Sequence, residues 1–222
     1  MIITNWISNN YIEVFGAVTG ILYVILEIRQ NIWLWPVGIV TSAVYIWVFF
    51  TSRFYADMSL QGYYLIISCI GWYWWTKRKT EGMREEETKR LRDEATGREG
   101  EKEDKVLLVT RIDLRTGLIL AVVFVFLYLL MYYVLSRFTN SPVPVWDSFI
   151  TSLSIVATWM LARKIYEHWY LWIIVNFVSA ALFLIKGLYP TLILYLVYGA
   201  MSFVGLIEWK KTIKDDLSII KR

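Results

Sequence analysis

Seven apolar stretches, nearly free of charge and 17 to 22 residues long, leave this 222-residue chain few ways to fold. They run Tyr11–Ile28, Ile32–Phe50, Met58–Trp75, Leu114–Leu135, Trp146–Ala162, Trp169–Ile185 and Leu188–Trp209. A helix needs about 20 apolar residues, rising 1.5 Å each, to cross the hydrocarbon core of a bilayer. The charges are gathered elsewhere: of 23 Lys and Arg and 19 Asp and Glu, more than half lie between Lys77 and Arg115. Soluble domains carry about 25% charged residues, and this chain carries 19% with most of them in one place. The expected fold is an all-α integral membrane protein of seven transmembrane helices, with the lipid bilayer as its first partner.

The basic residues assign an orientation. With the N-terminus outside, the inner side holds Arg29, the twelve basic residues from Lys77 to Arg115, Arg163, Lys164 and the five after Trp209. Only Arg53, Arg137 and Lys186 then lie outside. Cytoplasmic loops carry such an excess, so we expect a multi-pass protein of the bacterial inner membrane with its C-terminus in the cytoplasm. The net charge of +4 follows from this topology and does not imply a nucleic-acid partner. Twelve Trp and fifteen Tyr suit two membrane–water interfaces and also suit the wall of a binding site. Cys69 stands alone in an apolar run, which offers neither a disulfide nor a metal site. The N-terminus lacks the basic start and cleavage pattern of a signal peptide, so the first stretch is expected to remain.

The two ends of the chain resemble each other at a shift of 137 residues. That shift pairs Leu34-Trp35 with Leu171-Trp172, Ser42-Ala43 with Ser179-Ala180, Gly62 with Gly199, Trp72 with Trp209 and Ile28 with Ile165. Spans one to three therefore repeat as spans five to seven, and the fourth reverses sidedness so that both triplets run the same way. The expected layout is a first triplet over 1–76, a charged cytoplasmic linker over 77–113, a connecting helix over 114–135, a second triplet over 146–209 and a cytoplasmic tail over 210–222. The segment Lys77–Arg111 is too polar to bury a core and reads as a solvated linker, loosely helical or disordered. Parallel repeats occur in secondary transporters, whose substrate site lies between the repeats near the midplane.

Polar groups inside membrane helices are costly and face the bundle interior or an aqueous cavity. Four stripes at helical spacing meet that description. Span three offers Asp57, Gln61, Tyr64, Ser68 and Trp72, and span six offers Trp172, Asn176, Ser179 and Phe183. Span seven offers Tyr195, Tyr198, Ser202 and Gly205, and span two offers Trp35, Ser42 and Tyr45. From these stripes Trp172, Asn176, Gln61, Trp35, Tyr64, Tyr195 and Tyr198 are the expected substrate-binding residues. Each has a plainer role open to it: interhelical hydrogen bonding for Gln61 and Asn176, interface anchoring for the aromatics. Glu27 and Lys164, equivalent under the same shift, are candidates for a pairing across a cytoplasmic gate.

No nucleotide loop, dinucleotide fingerprint, His-Glu-x-x-His or nucleophile elbow is present. Asp57 and Asp147 lie near span ends, which argues against an intramembrane aspartyl protease. The single histidine, His168, falls in a short cytoplasmic turn and leaves no His relay or metal cluster to assemble. We therefore expect neither an enzyme nor a bound cofactor.

The segments LWPVGIVTSAVYIWVFF, YADMSLQGYYLIISCIGWYWWTKRK and WYLWIIVNFVSAALFLIKGLYPTLILYLVYGAMSFVGLIEWKK resemble the PnuC family of bacterial vitamin transporters. The features that carry the resemblance are Trp172 and Asn176 four apart, Asp57 and Gln61 four apart, and the closing Glu-Trp-Lys-Lys. It implies a fold similar to the SWEET sugar transporters, with two parallel three-helix repeats joined by one helix. It also implies facilitated diffusion of nicotinamide riboside, with a cytoplasmic kinase trapping the product, and assembly as a homotrimer. The substrate roles it carries over fall on Trp172, Asn176 and Gln61. Other branches of the family transport thiamine or riboflavin. Nicotinamide riboside and thiamine are both flat cations that a cage of Trp and Tyr attracts, whereas riboflavin is larger and uncharged. A seven-helix sensor that binds a ligand and signals through Lys77–Arg111 is the reading of a different class.

Overall fold

The computed structural model describes residues 11–51, 55–96, 109–139 and 142–220. These form seven helices: α1 (Tyr11–Ile28), α2 (Leu34–Thr51), α3 (Tyr55–Thr96), α4 (Leu114–Phe138), α5 (Pro144–Ala162), α6 (His168–Ile185) and α7 (Tyr189–Ile220). Each begins within three residues of an expected span. Five helices are long and apolar enough to cross a membrane: α2, α4, α5, α6 and the Tyr189–Ile213 part of α7. The apolar part of α1, Val14–Ile28, is shorter. The first half of α3 carries Gln61 and several Tyr and Trp, residues that suit a helix bordering a cavity.

Helix ends follow local chemistry. The Asp113 side chain accepts from Thr116 N at 3.1 Å and caps α4. The Thr116 hydroxyl and backbone N–H hold that carboxyl below its ordinary range. Proline opens α5, where a missing N–H costs nothing. The turn after α1 and the turn after α5 are built alike: Gln30 N bonds Glu27 O and Asn31 N bonds Leu26 O, while Lys164 N bonds Leu161 O and Ile165 N bonds Met160 O. Both are Schellman-type closures, and Gln30 and Lys164 sit in the left-handed region with φ of 50° and 55°. Glycine takes that position freely, while an L side chain pays about 1 kcal/mol there.

The packing forms a ring. Helix α1 packs on α2, α2 on α3, α3 on α5, α5 on α6, α6 on α7, and α7 returns to α1. Among the described helices, α4 packs on α5 alone and lies outside the ring, with Leu118, Val122, Phe126 and Leu129 exposed.

Helices α1, α2 and α3 begin or end at positions whose partners in α5, α6 and α7 lie 134 residues on: Ile28 and Ala162, Leu34 and His168, Thr51 and Ile185, Tyr55 and Tyr189. The same shift pairs Gln30 with Lys164, Trp35 with Trp169, Gly71 with Gly205 and Trp75 with Trp209. The helix bounds thus favour a shift of 134 over the 137 read from the sequence. The two differ by three residues, close to one helical turn, so both place similar residues on similar faces.

The charged segment also differs in part from a solvated linker. The α3 helix runs on through it to Thr96, and residues 97–108 lie outside those described. Its far end is docked: Thr110 forms a parallel bridge with Ile165, Ile112 N donates to Glu167 at 2.9 Å, and Val109 is buried against the ring's core.

A central cavity as the candidate functional site

Inside the ring lies a cavity of about 490 Å³, to which all six ring helices contribute. That size suits a single small organic solute. Its wall is aromatic and carries several hydroxyls, as expected where helices turn their polar stripes inward. Of the seven residues expected at the site, Gln61, Tyr64, Trp172, Asn176, Tyr195 and Tyr198 line it. Ser42, Ser68 and Ser202 from the same stripes line it as well.

Asn176 is held by its neighbour. Its Nδ2 donates to Ser202 Oγ at 3.1 Å, and the Ser202 hydroxyl donates to the Tyr198 carbonyl one turn earlier at 2.8 Å. The carboxamide oxygen of Asn176 has no protein donor among the described residues and is available as an acceptor. Three other wall groups, Trp169 Nε1, Trp172 Nε1 and Thr41 Oγ1, are buried without a protein hydrogen-bond partner among the described residues. Buried polar atoms of native proteins are nearly all satisfied, so a group of orphans on one wall points to a polar ligand. Tyr63 donates to the Ile155 carbonyl at 2.8 Å and joins α3 to α5 beside the cavity. Tyr195 and Tyr198 meet edge to face with centroids 5.8 Å apart.

Trp35 is placed elsewhere. Its ring is fully buried over Gly71 and meets Trp75 edge-on, centroids 5.4 Å apart, and it is not part of the cavity wall. The residue that a shift of 134 pairs with it, Trp169, sits over Gly205 and meets Trp209 in the same way at 5.9 Å, yet it also lines the cavity. Trp72 is half exposed and faces away. The side chain of Asp57 lies outside those described. Sequence reasoning missed Trp169, Tyr23 and Glu27 on the wall, and the 134 register, which equates Trp169 with Trp35, is the signal that finds the first.

His168 corrects a further expectation. Expected in a short turn, it is the first residue of α6 and is fully buried, with Nε2 3.1 Å from the Glu27 carboxyl. Lys164, the partner expected for Glu27, donates to Gln30 Oε1 at 3.0 Å.

A ring of helices, most of them apolar, around an aromatic cavity of solute size with a few polar groups on its wall is the build of a polytopic membrane transport protein. The model of the nicotinamide mononucleotide transporter family matches residues 10–211, and the chain belongs to that family. It is 25% identical over 219 residues to the nicotinamide riboside transporter PnuC of Escherichia coli K12, covering 93% of this chain and 87% of that protein. It is 21% identical over 215 residues to the riboflavin/roseoflavin transporter RibM of Streptomyces davaonensis, covering 92% of each. A crystal structure of the vitamin B3 transporter PnuC superimposes with a TM-score of 0.68 at 22% identity, covering 96% of this chain and 86% of that one. The resemblance to the PnuC family is thus borne out, and the family and these neighbours are transporters rather than enzymes.

Proposed function

We propose that this chain carries nicotinamide riboside across the bacterial inner membrane by facilitated diffusion, through alternating access of a site at the centre of the ring. The observation that carries the reading is the cavity wall itself, which combines Trp and Tyr faces with an Asn carboxamide whose oxygen is free. A pyridinium ring gains about 2 kcal/mol from each desolvated aromatic face, and ribose hydroxyls suit Asn176 and Gln61. Trp172, Asn176, Gln61, Tyr64, Tyr195 and Tyr198 are the proposed binding residues, and Trp35 is given a packing role.

The architecture we propose is seven spans as two parallel triplets, α1–α3 and α5–α7, with α4 restoring sidedness. Matching helix bounds at a shift of 134 support it. The N-terminus outside, the C-terminus inside, a homotrimer and a cytoplasmic kinase that retains the product by phosphorylation complete the reading. Thiamine shares the cationic chemistry. Riboflavin is favoured by a separate observation, the likeness to RibM along nearly the whole chain.

Purified protein in proteoliposomes, given labelled nicotinamide riboside, thiamine and riboflavin with no energy source, tests the reading. We expect one of the first two to equilibrate down its gradient without proton or sodium movement. Binding without flux would instead favour a sensor, and riboflavin flux alone would move the chain to that branch.

The charged segment offers a second test. Glu86 lies about 17 Å along the helix beyond Trp75, and the six residues 103–108 reach about 20 Å. Excising 87–102 therefore leaves the docked Val109–Ile112 in place, and uptake is expected to stay within about twofold of the parent. A sensor that signals through this segment would lose its output.

A further inference from the structure

Where α1 and α5 end, the two sides of the ring are joined by polar side chains as well as by packing. Glu27 lines the cavity from the last turn of α1, is buried, and lies 3.1 Å from Nε2 of His168, the first residue of α6. The other ring nitrogen, Nδ1, is 2.7 Å from the Ile165 carbonyl. A carbonyl only accepts, so Nδ1 carries a hydrogen. The hydrogen between Nε2 and Oε1 then leaves two forms, imidazolium with carboxylate or imidazole with carboxylic acid, and the pair is neutral in both. Such a pair is tolerated in a buried place where a lone carboxylate is not.

Four further bonds cross between α1–α3 and α5–α7 at the same end. Trp209 Nε1 donates to the Glu27 carbonyl at 3.1 Å, and its counterpart Trp75 donates to the Ala162 carbonyl at 3.2 Å. Gln30 Nε2 donates to Thr212 Oγ1 at 3.2 Å. Lys164 Nζ donates to Gln30 Oε1 at 3.0 Å and lies 4.4 Å from the Trp75 ring centroid. Gln30 and Lys164 are the two left-handed cap residues, positions that glycine fills without strain. The chain puts long side chains there, and those side chains meet each other.

We propose that this cluster is the gate at the cytoplasmic end of the cavity and that the Glu27–His168 bond is its bolt, which parts once in every transport cycle. The proposal rests on the transport reading above. Glu27 is suited to the task because its residue belongs to both the cavity and the bond. A cationic solute at that end of the cavity competes with His168 for the carboxyl, so occupancy loosens the gate.

The test reads access to the cavity from each face. A Thr158→Cys reporter, one turn before the end of α5 on the cavity wall, is placed in a Cys69→Ser background and labelled with a membrane-impermeant maleimide in oriented vesicles. A separate Thr88→Cys reporter on the exposed part of α3 identifies the face that carries the charged segment. Glu27→Ala and His168→Phe should raise reporter labelling from that face by roughly tenfold to a hundredfold, the weight of one charge-assisted hydrogen bond. His168→Phe keeps a ring between Trp169 and Trp209, whose centroids each lie 4.7 Å from the imidazole. Glu27→Gln keeps an acceptor for His168 and should fall between the parent and the alanine variant. A rise from both faces in Glu27→Ala would mark lost folding, and the Gln and Phe variants then decide. Unchanged labelling in those variants, in vesicles that still take up solute, overturns the gate and spares the transport reading. One-sided labelling changes without any solute flux would support the gate and sink transport instead.

Discussion

Asn176→Ala and Trp172→Ala should each weaken solute binding sharply, Trp172→Ala the more so; these are the largest effects expected from any single change in the cavity. Asn176 is fixed by Ser202, so its carboxamide oxygen points where packing puts it rather than where thermal motion leaves it. A ligand group that bonds there loses its partner in the alanine variant, and an unpaired buried donor costs about 1–3 kcal/mol. Trp172 removes more, since a desolvated cation–π contact of about 2 kcal/mol goes together with the buried area of an indole. Affinity should fall by about 10- to 100-fold for Asn176→Ala and by more than about 100-fold for Trp172→Ala. Titration calorimetry in detergent measures both. Trp35→Phe is the contrast: it keeps a ring over Gly71, lies off the cavity, and should leave affinity unchanged. Equal losses at Trp35 and Trp172 would mean that the cavity is not where the solute binds.

The second large effect is on folding. Gly71 and Gly205 lie face to face with the rings of Trp35 and Trp169, and a Cβ at either glycine falls well inside van der Waals contact of ring atoms. Both tryptophans are almost completely buried, and only Trp169 has open space beside it, in the cavity that it lines. Gly205→Val and Gly71→Val should each destabilise the protein by about 3 kcal/mol or more, at or above the upper end of ordinary overpacking, because a whole indole is displaced. Thermal melting followed by size exclusion reads this as a clear loss of the monodisperse peak at lower temperature. Gly62 is the control, since nothing lies within 4 Å of a Cβ there. Gly62→Ala adds a methyl group to open space and gains up to about 1 kcal/mol of helix propensity.

Much of this architecture was legible from hydropathy alone, because a bilayer demands helices of one length and punishes charge inside them. The starts of α1 and α4 and the ends of α1, α5 and α6 coincide with the expected spans. Six of the seven site residues reached the cavity because polar residues in a membrane helix have few other places to go. The failure at Trp35 has a geometric cause: a helix repeats its faces every 3.6 residues, so a register shift of three residues preserves most of the pattern. Trp35 was matched to Trp172 rather than to Trp169, and only geometry, where both tryptophans cover a glycine, separates the choices. His168 was misplaced because its depth depends on how far the α5–α6 turn sinks into the ring. That turn is held by Thr110 and Val109 at the far end of a linker the sequence marks only as polar.

The length of α3 has a mechanical consequence. Gln61 on the cavity wall and Thr96 at the helix end belong to one unbroken helix, so about 50 Å of rod separates them. A tilt of 5° about the wall displaces the far tip by roughly 4–5 Å, more than any atom at the pivot moves. The rod is a pointer pivoted at the cavity wall, and a spin label or fluorophore near residue 90 would report any tilt of that wall on a magnified scale.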